Sequence, residues 1–251
     1  GRMSGKRIVV AGIGYVGLSL AVLLARKNTV VAIDLDRPST FETVVPEGSY
    51  PIEGVALTRR HLVVHELVHV QSRLRAFRLD GTHDHDIDLP GLGAVSELRS
   101  RSDQDAVWFM FSSPLSPATV YRAGVVSGEQ APFMRPAAPI DASQFETLAL
   151  FAMSKDGTQV PYFLTRKKGS PQDGSGPALM YGYGGFSISV LPAYRPDVPA
   201  WLERGGVFIS VNMRGGAEYG EAWHKAGTLG QKQNVFDDFI AVAEELVRTG
   251  V

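Results

Sequence analysis

Cysteine is absent from the 251 residues of this chain. Its absence excludes disulfide bonds, a thiol nucleophile and cysteine-ligated metal sites, and it leaves the cellular compartment open.

An excess of charge of one sign is also missing, because the formal net charge is −1 and the Lys and Arg residues are scattered. We therefore expect neither nucleic acid nor an anionic membrane as a partner. The apolar stretch near the N-terminus is interrupted by glycines and leads into Arg26-Lys27-Asn28, which predicts neither a signal peptide nor a membrane span.

A Gly-x-Ser-x-Gly sequence does not occur in the chain either. This sequence forms the sharp turn that carries the nucleophile of α/β-hydrolases, and the acid and the histidine of the triad follow it in sequence. We therefore expect no complete Ser-Asp-His triad within these residues.

A glycine motif lies in the first 36 residues, between two predicted strands. The motif is Gly12-Ile13-Gly14-Tyr15-Val16-Gly17, a predicted helix follows it, and the second strand, Val30 to Ile33, ends at Asp34. In this order the glycines let the backbone approach a pyrophosphate at a helix N-terminus, and the acid can bond a ribose hydroxyl.

Residues 6–36 resemble the N-terminus of the UDP-glucose/GDP-mannose 6-dehydrogenases, which bind NAD. The resemblance implies a Rossmann-like βαβ start, with the motif glycines and the acid as NAD-binding residues: Gly12, Gly14, Gly17 and Asp34. The alternative is a foreign or vestigial βαβ segment that binds nothing. One βαβ unit does not make a complete dinucleotide site, and the cysteine that those dehydrogenases use is missing.

The pattern changes twice after residue 36. Residues 37–139 show short alternating or apolar runs between turn signals, which is typical of an antiparallel sandwich or of propeller blades. At roughly 40–50 residues a blade, this length would supply about two blades. In residues 140–251 predicted strands alternate with predicted helices, which indicates an α/β architecture.

Two apolar runs in the last part break into glycines. Ala178-Leu179-Met180 leads into Tyr181-Gly182-Tyr183-Gly184-Gly185-Phe186, and Val207 to Val211 leads into a loop with Arg214-Gly215-Gly216. Short buried runs of this kind predict parallel strands whose C-terminal loops bring backbone close to a ligand.

Residues 41–251 resemble the prolyl oligopeptidase family of serine peptidases. The resemblance rests on five segments in the expected order, namely Ser154 to Pro161, Tyr181 to Phe186, Asn212 to Gly220, Trp223-His224 and Gln233 to Phe239. It implies a seven-bladed propeller joined near Pro139-Ile140 to an α/β-hydrolase domain. It also implies cleavage after proline in short peptides by acyl transfer, with no metal or cofactor.

By this resemblance Tyr183 would donate its hydroxyl to the oxyanion, and Phe186 would line the substrate cleft. The alternative is that both aromatic side chains merely pack against the sheet. The resemblance also places His224 in a packing segment, so we assign it a structural role; a role as the catalytic base would require geometry with a nucleophile. Asp237 and Asp238 are interpreted as first-turn helix residues, with Asn234 as a possible cap.

Two histidine motifs invite a metal hypothesis. His65-Glu66-Leu67-Val68-His69 is a formal HExxH sequence, which holds zinc when it lies on a helix. Its β-branched surroundings predict a strand instead, on which the two histidines would stand about 13 Å apart at roughly 3.3 Å per residue. His83-Asp84-His85-Asp86 is interpreted as a solvated turn. We therefore predict no metal site.

The sequence thus predicts a mixed fold in three segments: a Rossmann-like βαβ start over 1–36, a partial β-propeller over 37–139, and the N-terminal half of an α/β-hydrolase domain over 140–251. The expected function is that of a prolyl oligopeptidase-like endopeptidase that stops before its nucleophile and is inactive as written. The expected partners are short proline-containing peptides and a missing C-terminal complement. The alternatives are an NAD-binding dehydrogenase-like protein and a non-catalytic or engineered fusion. We expect a cytoplasmic location, with the periplasm as the alternative.

Overall fold

The computed structural model describes residues 30–33, 41–46, 48–137 and 140–251. The first strand, β1 (Val30–Ile33), confirms the strand predicted there, and it pairs antiparallel with β2 (Phe41–Val45). The remainder of the predicted βαβ start lies outside the described residues, including the candidate NAD-binding residues Gly12, Gly14, Gly17 and Asp34. NAD binding there stays a prediction.

Two four-stranded antiparallel sheets follow, each with its strands in sequence order. The first contains β3 (Ile52–Leu57), β4 (His61–Val68), β5 (Gln71–Arg78) and β6 (His83–Ile87). The second contains β7 (Ala94–Ser100), β8 (Ala106–Ser113), β9 (Ser116–Gly124) and β10 (Gln130–Met134). Short turns join neighbouring strands, as in propeller blades. The prediction of propeller-like sheets is confirmed.

The two sheets share one hydrophobic core. Val63 and Leu74 of the first sheet pack in the same buried cluster as Val107 and Phe109 of the second. The ring of Phe109 stacks on that of Tyr121, with 5.7 Å between the ring centroids. Strand β4 is buried on both of its faces, which explains why its sequence is almost continuously apolar and β-branched.

The last part of the chain forms a mixed four-stranded sheet in the order β11, β12, β14, β13. Its strands are β11 (Phe145–Met153), β12 (Gln159–Lys167), β13 (Ala178–Gly182) and β14 (Val207–Val211). Strands β13 and β14 are parallel, whereas β12 pairs antiparallel with both β11 and β14. Together with the helices described next, these strands give the predicted alternation of strands and helices. Strand β14 is fully buried inside the sheet.

Three helices accompany this sheet: α1 (Val198–Glu203), α2 (Glu221–Lys225) and α3 (Gln233–Thr249). Val207, Ile209 and Val211 pack in one buried cluster with α3, whereas Phe208 packs in another with α1. The alternation along β14 thus places the two helices on opposite faces of the sheet. Helix α3 ends at Gly250, whose φ of 74° is the left-handed conformation of a glycine C-cap. No helix in the described ranges is long and apolar enough to cross a membrane.

Candidate functional site

Strands β13 and β14 run parallel, so the loops that follow them meet at one edge of the sheet. The backbone N–H of Ser187 donates to the carbonyl of Gly215 at 3.1 Å. Gly184 has a φ of 57°, and a Cβ built on it would lie 2.4 Å from Val235 Cγ1. Only glycine fits at this position, because both the left-handed backbone and the contact with α3 exclude a side chain. The predicted parallel strands, each followed by a glycine loop, are confirmed, and the approach of these loops to a ligand stays a prediction.

The side chains of Tyr183 and Phe186 are both exposed to solvent. Tyr183 is 45% exposed and Phe186 is 83% exposed, and their ring centroids are 6.4 Å apart. Phe186 has a φ of 51° and Ser187 a φ of 57°, which is strained backbone for residues with a side chain. Strain of this kind is typical of ligand-binding loops. Phe186 thus packs little against the sheet, whereas Tyr183 is partly covered, and the roles assigned to both residues stay predictions.

One side chain braces each of the two glycine loops. Lys232 Nζ donates to the carbonyl of Gly184 at 2.7 Å. His224 Nδ1 donates to the carbonyl of Gly215, also at 2.7 Å. This hydrogen bond to the backbone agrees with the structural role that the sequence analysis assigns to His224.

A buried ion pair fixes the start of the loop after β14. Arg214 is 4% exposed and Asp238 is 0% exposed, and Arg214 Nη2 lies 2.6 Å from Asp238 Oδ1. The carboxylate of Asp238 also accepts the backbone N–H of Arg214 and the hydroxyl of Ser154. Hydrogen bonds from Arg214 lower the pKa of Asp156 to about 2. The hydrogen bond to Asp238 is the main cause that raises the pKa of Arg214.

The interpretation of Asp237 and Asp238 as first-turn helix residues is wrong, because the first turn of α3 contains no acidic residue. Helix α3 begins at Gln233, so Asp238 lies in the second turn, where the helical period places it on the sheet-facing side with Val235 and Val242. Asn234 is not the N-cap, because α3 begins at Gln233 and Asn234 lies inside it; its Nδ2 donates to the carbonyl of Ala226 at 2.9 Å. Sequence reasoning missed the Arg214 pair. Its only local signal was an acid at helical spacing from two apolar residues.

The HExxH sequence begins on strand β4, as predicted, but His69 lies in the turn after β4 and not on the strand. His65 Nε2 is 2.8 Å from Ser72 Oγ, and Glu66 accepts hydrogen bonds from Arg73 and Arg75. Burial lowers the pKa of His65 to about 4. His69 lies in the turn, where its ring contacts residues of the last sheet region, with Nδ1 3.1 Å from the hydroxyl of Tyr219.

The interpretation of His83 to Asp86 as a solvated turn is wrong, because these residues form the edge strand β6. Asp84 accepts hydrogen bonds from His61, Arg78 and His85, and hydrogen bonding, first of all from His85, lowers its pKa to about 2. Within the described ranges, no group of three or more His, Cys, Asp or Glu side chains is arranged to hold a metal ion.

Two family models match the chain. One is described as the N-terminal β-propeller domain of prolyl oligopeptidase and covers residues 23–136, and the other is described as the prolyl oligopeptidase family and covers residues 192–251. Both describe parts of one kind of serine peptidase and they occur here in a single chain. The chain belongs to the prolyl oligopeptidase family.

Curated relatives agree with this assignment. The chain is 32% identical over 214 residues to a prolyl endopeptidase of Elizabethkingia miricola, a match that covers 85% of this chain and 30% of the relative. It is 35% identical over 244 residues to the prolyl endopeptidase of Dictyostelium discoideum, covering 91% of this chain and 32% of the relative. The chain thus spans about a third of the length of these relatives.

Solved structures share the fold. A prolyl endopeptidase structure superposes with a TM-score of 0.82 at 37% identity, over 88% of this chain and 33% of that one. Prolyl oligopeptidase B from Galerina marginata, solved with a bound 35-residue hydrolysis and macrocyclization substrate, superposes with a TM-score of 0.80 at 29% identity, over 88% of this chain and 32% of its own.

Proposed function

We propose that this chain contributes part of a serine peptidase that cleaves short peptides after proline. The observation that carries the proposal is the exposed Tyr183, held on a glycine loop at the carboxyl edge of parallel strands β13 and β14. In α/β enzymes this edge holds the chemistry. Family membership supplies the reaction class, which is acyl transfer from a peptide to a serine and then to water.

Tyr183 has the chemistry that this reaction needs from its loop. The tetrahedral intermediate of acyl transfer carries a negative oxygen, and a fixed O–H donor stabilises that oxygen more than it stabilises the substrate carbonyl. The bonds that Lys232 and the Gly215 loop make to neighbouring backbone hold the Tyr183 loop in place. Phe186 offers an open aromatic face 6.4 Å away, suited to an apolar proline ring.

We further propose that residues 140–251 are the first half of an α/β-hydrolase domain. Strand β13 is an edge strand, and Leu179 and Tyr181 on it are exposed. Helix α3 exposes a second apolar face at Phe236, Ile240 and Val247. In folded proteins, exposed strand edges and contiguous exposed apolar side chains are usually covered by further structure. Further strand and helix units of the same domain would cover them and would supply the Ser, Asp and His of the triad.

The proposed peptidase works without a metal or a nucleotide cofactor. The propeller model begins at residue 23, inside the segment 6–36 that resembles the NAD-binding dehydrogenases. This overlap favours the peptidase over NAD binding. An NADH fluorescence titration of the chain tests the choice, with Gly14→Asp as the control: a signal that the substitution abolishes would support NAD binding.

Activity of the polypeptide as its native source produces it tests the proposal. We expect turnover of a chromogenic peptide with proline before the scissile bond, and Tyr183→Phe should lower kcat by about 10²–10³-fold. Tyr181→Phe is the matched control on the preceding strand and should stay within about twofold of wild type. Absence of turnover, or full activity of Tyr183→Phe, would contradict the proposal. Residues 1–251 alone should take up no fluorophosphonate probe, because the triad is missing from them.

A further inference from the structure

The segment that follows Phe186 is held by two buried polar side chains from the loop after β14. Asn212 is 0% exposed and Glu218 is 1% exposed. Glu218 Oε1 accepts the backbone N–H of Val190 at 3.0 Å, and Asn212 Nδ2 donates to the carbonyl of Val190 at 2.5 Å. Both backbone polar groups of one loop residue are therefore bonded by side chains that lie more than 20 positions away in the chain.

The surrounding backbone is adapted to this arrangement. A Cβ on Gly216 would lie 2.0 Å from Glu218 Oε2, so the glycine leaves room for the carboxyl group. Burial raises the pKa of Glu218, which favours its protonated form. Glu218 Oε2 and Asn212 Oδ1 have no hydrogen-bond partner among the residues that the structure describes. Burying polar atoms that lack hydrogen-bond partners costs free energy. An apolar side chain would fill the same volume at a lower free-energy cost.

The two side chains act on a strained segment. Ser187 donates to the carbonyl of Gly215 and Val190 is bonded to Asn212 and Glu218, so the segment is tied at both ends to the loop after β14. Phe186 lies between the glycine loop and these hydrogen-bonded residues, and its φ is 51°. Without such ties a left-handed phenylalanine would relax to ordinary backbone, and its ring would turn away from Tyr183.

We propose that Asn212 and Glu218 are positioning residues that clamp Val190 and thereby set the direction in which Phe186 faces the substrate. This proposal rests on the proposed function only for the role of Phe186. The clamp itself is a property of the described fold. It adds a specificity-determining function to two residues that do not touch the proposed substrate.

Amide hydrogen exchange of residues 1–251, read by NMR, tests the clamp directly. In the wild type, with each rate divided by the intrinsic rate of its unprotected amide, the Val190 amide should exchange at least about tenfold more slowly than that of Ser189, because Ser189 N–H has no acceptor in the described part of the chain. Glu218→Ala should remove the protection of Val190 while the amides of β14 keep theirs. Glu218→Gln retains an acceptor oxygen and should restore the protection. Equal exchange of Val190 and Ser189 in the wild type would overturn the clamp, even if Glu218→Ala does not fold.

Kinetics of the native polypeptide tests the positioning role separately. Glu218→Ala should raise KM for a prolyl peptide by about tenfold and change kcat by less than about threefold, because a misdirected Phe186 weakens binding without touching the reacting atoms. Glu218→Gln should return KM to within about twofold of wild type. Glu244→Ala, an exposed acid on α3, is the control. An unchanged KM in Glu218→Ala would overturn the positioning role. Absence of wild-type turnover would instead overturn the proposed function and leave the exchange result standing.

Discussion

Asp238→Ala should lower the free energy of unfolding by about 3–5 kcal/mol, because it leaves Arg214 buried without its main counter-charge. The structure shows what is lost. Asp238 accepts Arg214 Nη2 at 2.6 Å, Arg214 Nε at 2.9 Å, the backbone N–H of Arg214 at 3.0 Å and the hydroxyl of Ser154 at 2.7 Å. Asp156 remains as a partner but is half exposed, so it cannot replace a carboxylate that is 0% exposed.

The size of the loss in unfolding free energy distinguishes a buried charge left without its partner from the loss of a single hydrogen bond. Deleting one ordinary hydrogen bond costs about 1 kcal/mol, well below the expected loss. A double-mutant cycle sharpens the distinction: Arg214→Met with Asp238→Ala should cost less than the sum of the single substitutions, since neither charge is then left unpaired. Asp237→Ala is the matched control, an identical substitution one position earlier on α3, and should change stability by less than about 0.5 kcal/mol.

Urea unfolding followed by circular dichroism and tryptophan fluorescence measures these differences. The two probes must give coincident transitions for the free energies to be compared. A loss below about 1 kcal/mol in Asp238→Ala, or strict additivity in the cycle, would show that the pair is solvated and would refute the reasoning.

Two further predictions concern single side chains. The folded pKa of His65 is about 4 and its ordinary value is 6.5, so the folded state binds fewer protons and the wild type should lose up to about 3 kcal/mol as the pH falls from 6.5 to 4. His65→Gln should flatten this part of the stability curve, and equal slopes in urea titrations of the two proteins would contradict the assigned burial. Phe186 is strained and mostly exposed, so Phe186→Gly should be more stable than Phe186→Ala by about 1 kcal/mol in the same assay, while both raise KM for a prolyl peptide. A more stable alanine variant would show that the left-handed backbone at this position is absent in solution.

The glycine loops illustrate what the sequence could predict. Apolar runs that end in Gly182 or Gly215 have one common structural solution, a buried strand followed by a tight loop, and parallel pairing of β13 with β14 then brings the loops together. The strand at His65 was predictable for a similar reason, because β-branched neighbours on both sides disfavour a helix. Local patterns were sufficient in both cases.

The residues that fix the loops were not predictable locally. Arg214 meets Asp156 and Asp238 from two different elements, and Val190 meets Asn212 and Glu218 across more than 20 positions. Pairings of this kind depend on the completed sheet. The strand at His83 to Asp86 was missed because its residues are polar on both faces, and only pairing with β5 makes it a strand.

Labelling of the native polypeptide with a fluorophosphonate probe, read by intact mass and peptide mapping, tests the central claim most directly. The account predicts a polypeptide heavier than the 27.1 kDa of these residues, with a single adduct on a serine outside them. A folded native polypeptide that takes up no probe, or an adduct on a serine within residues 1–251, would contradict it.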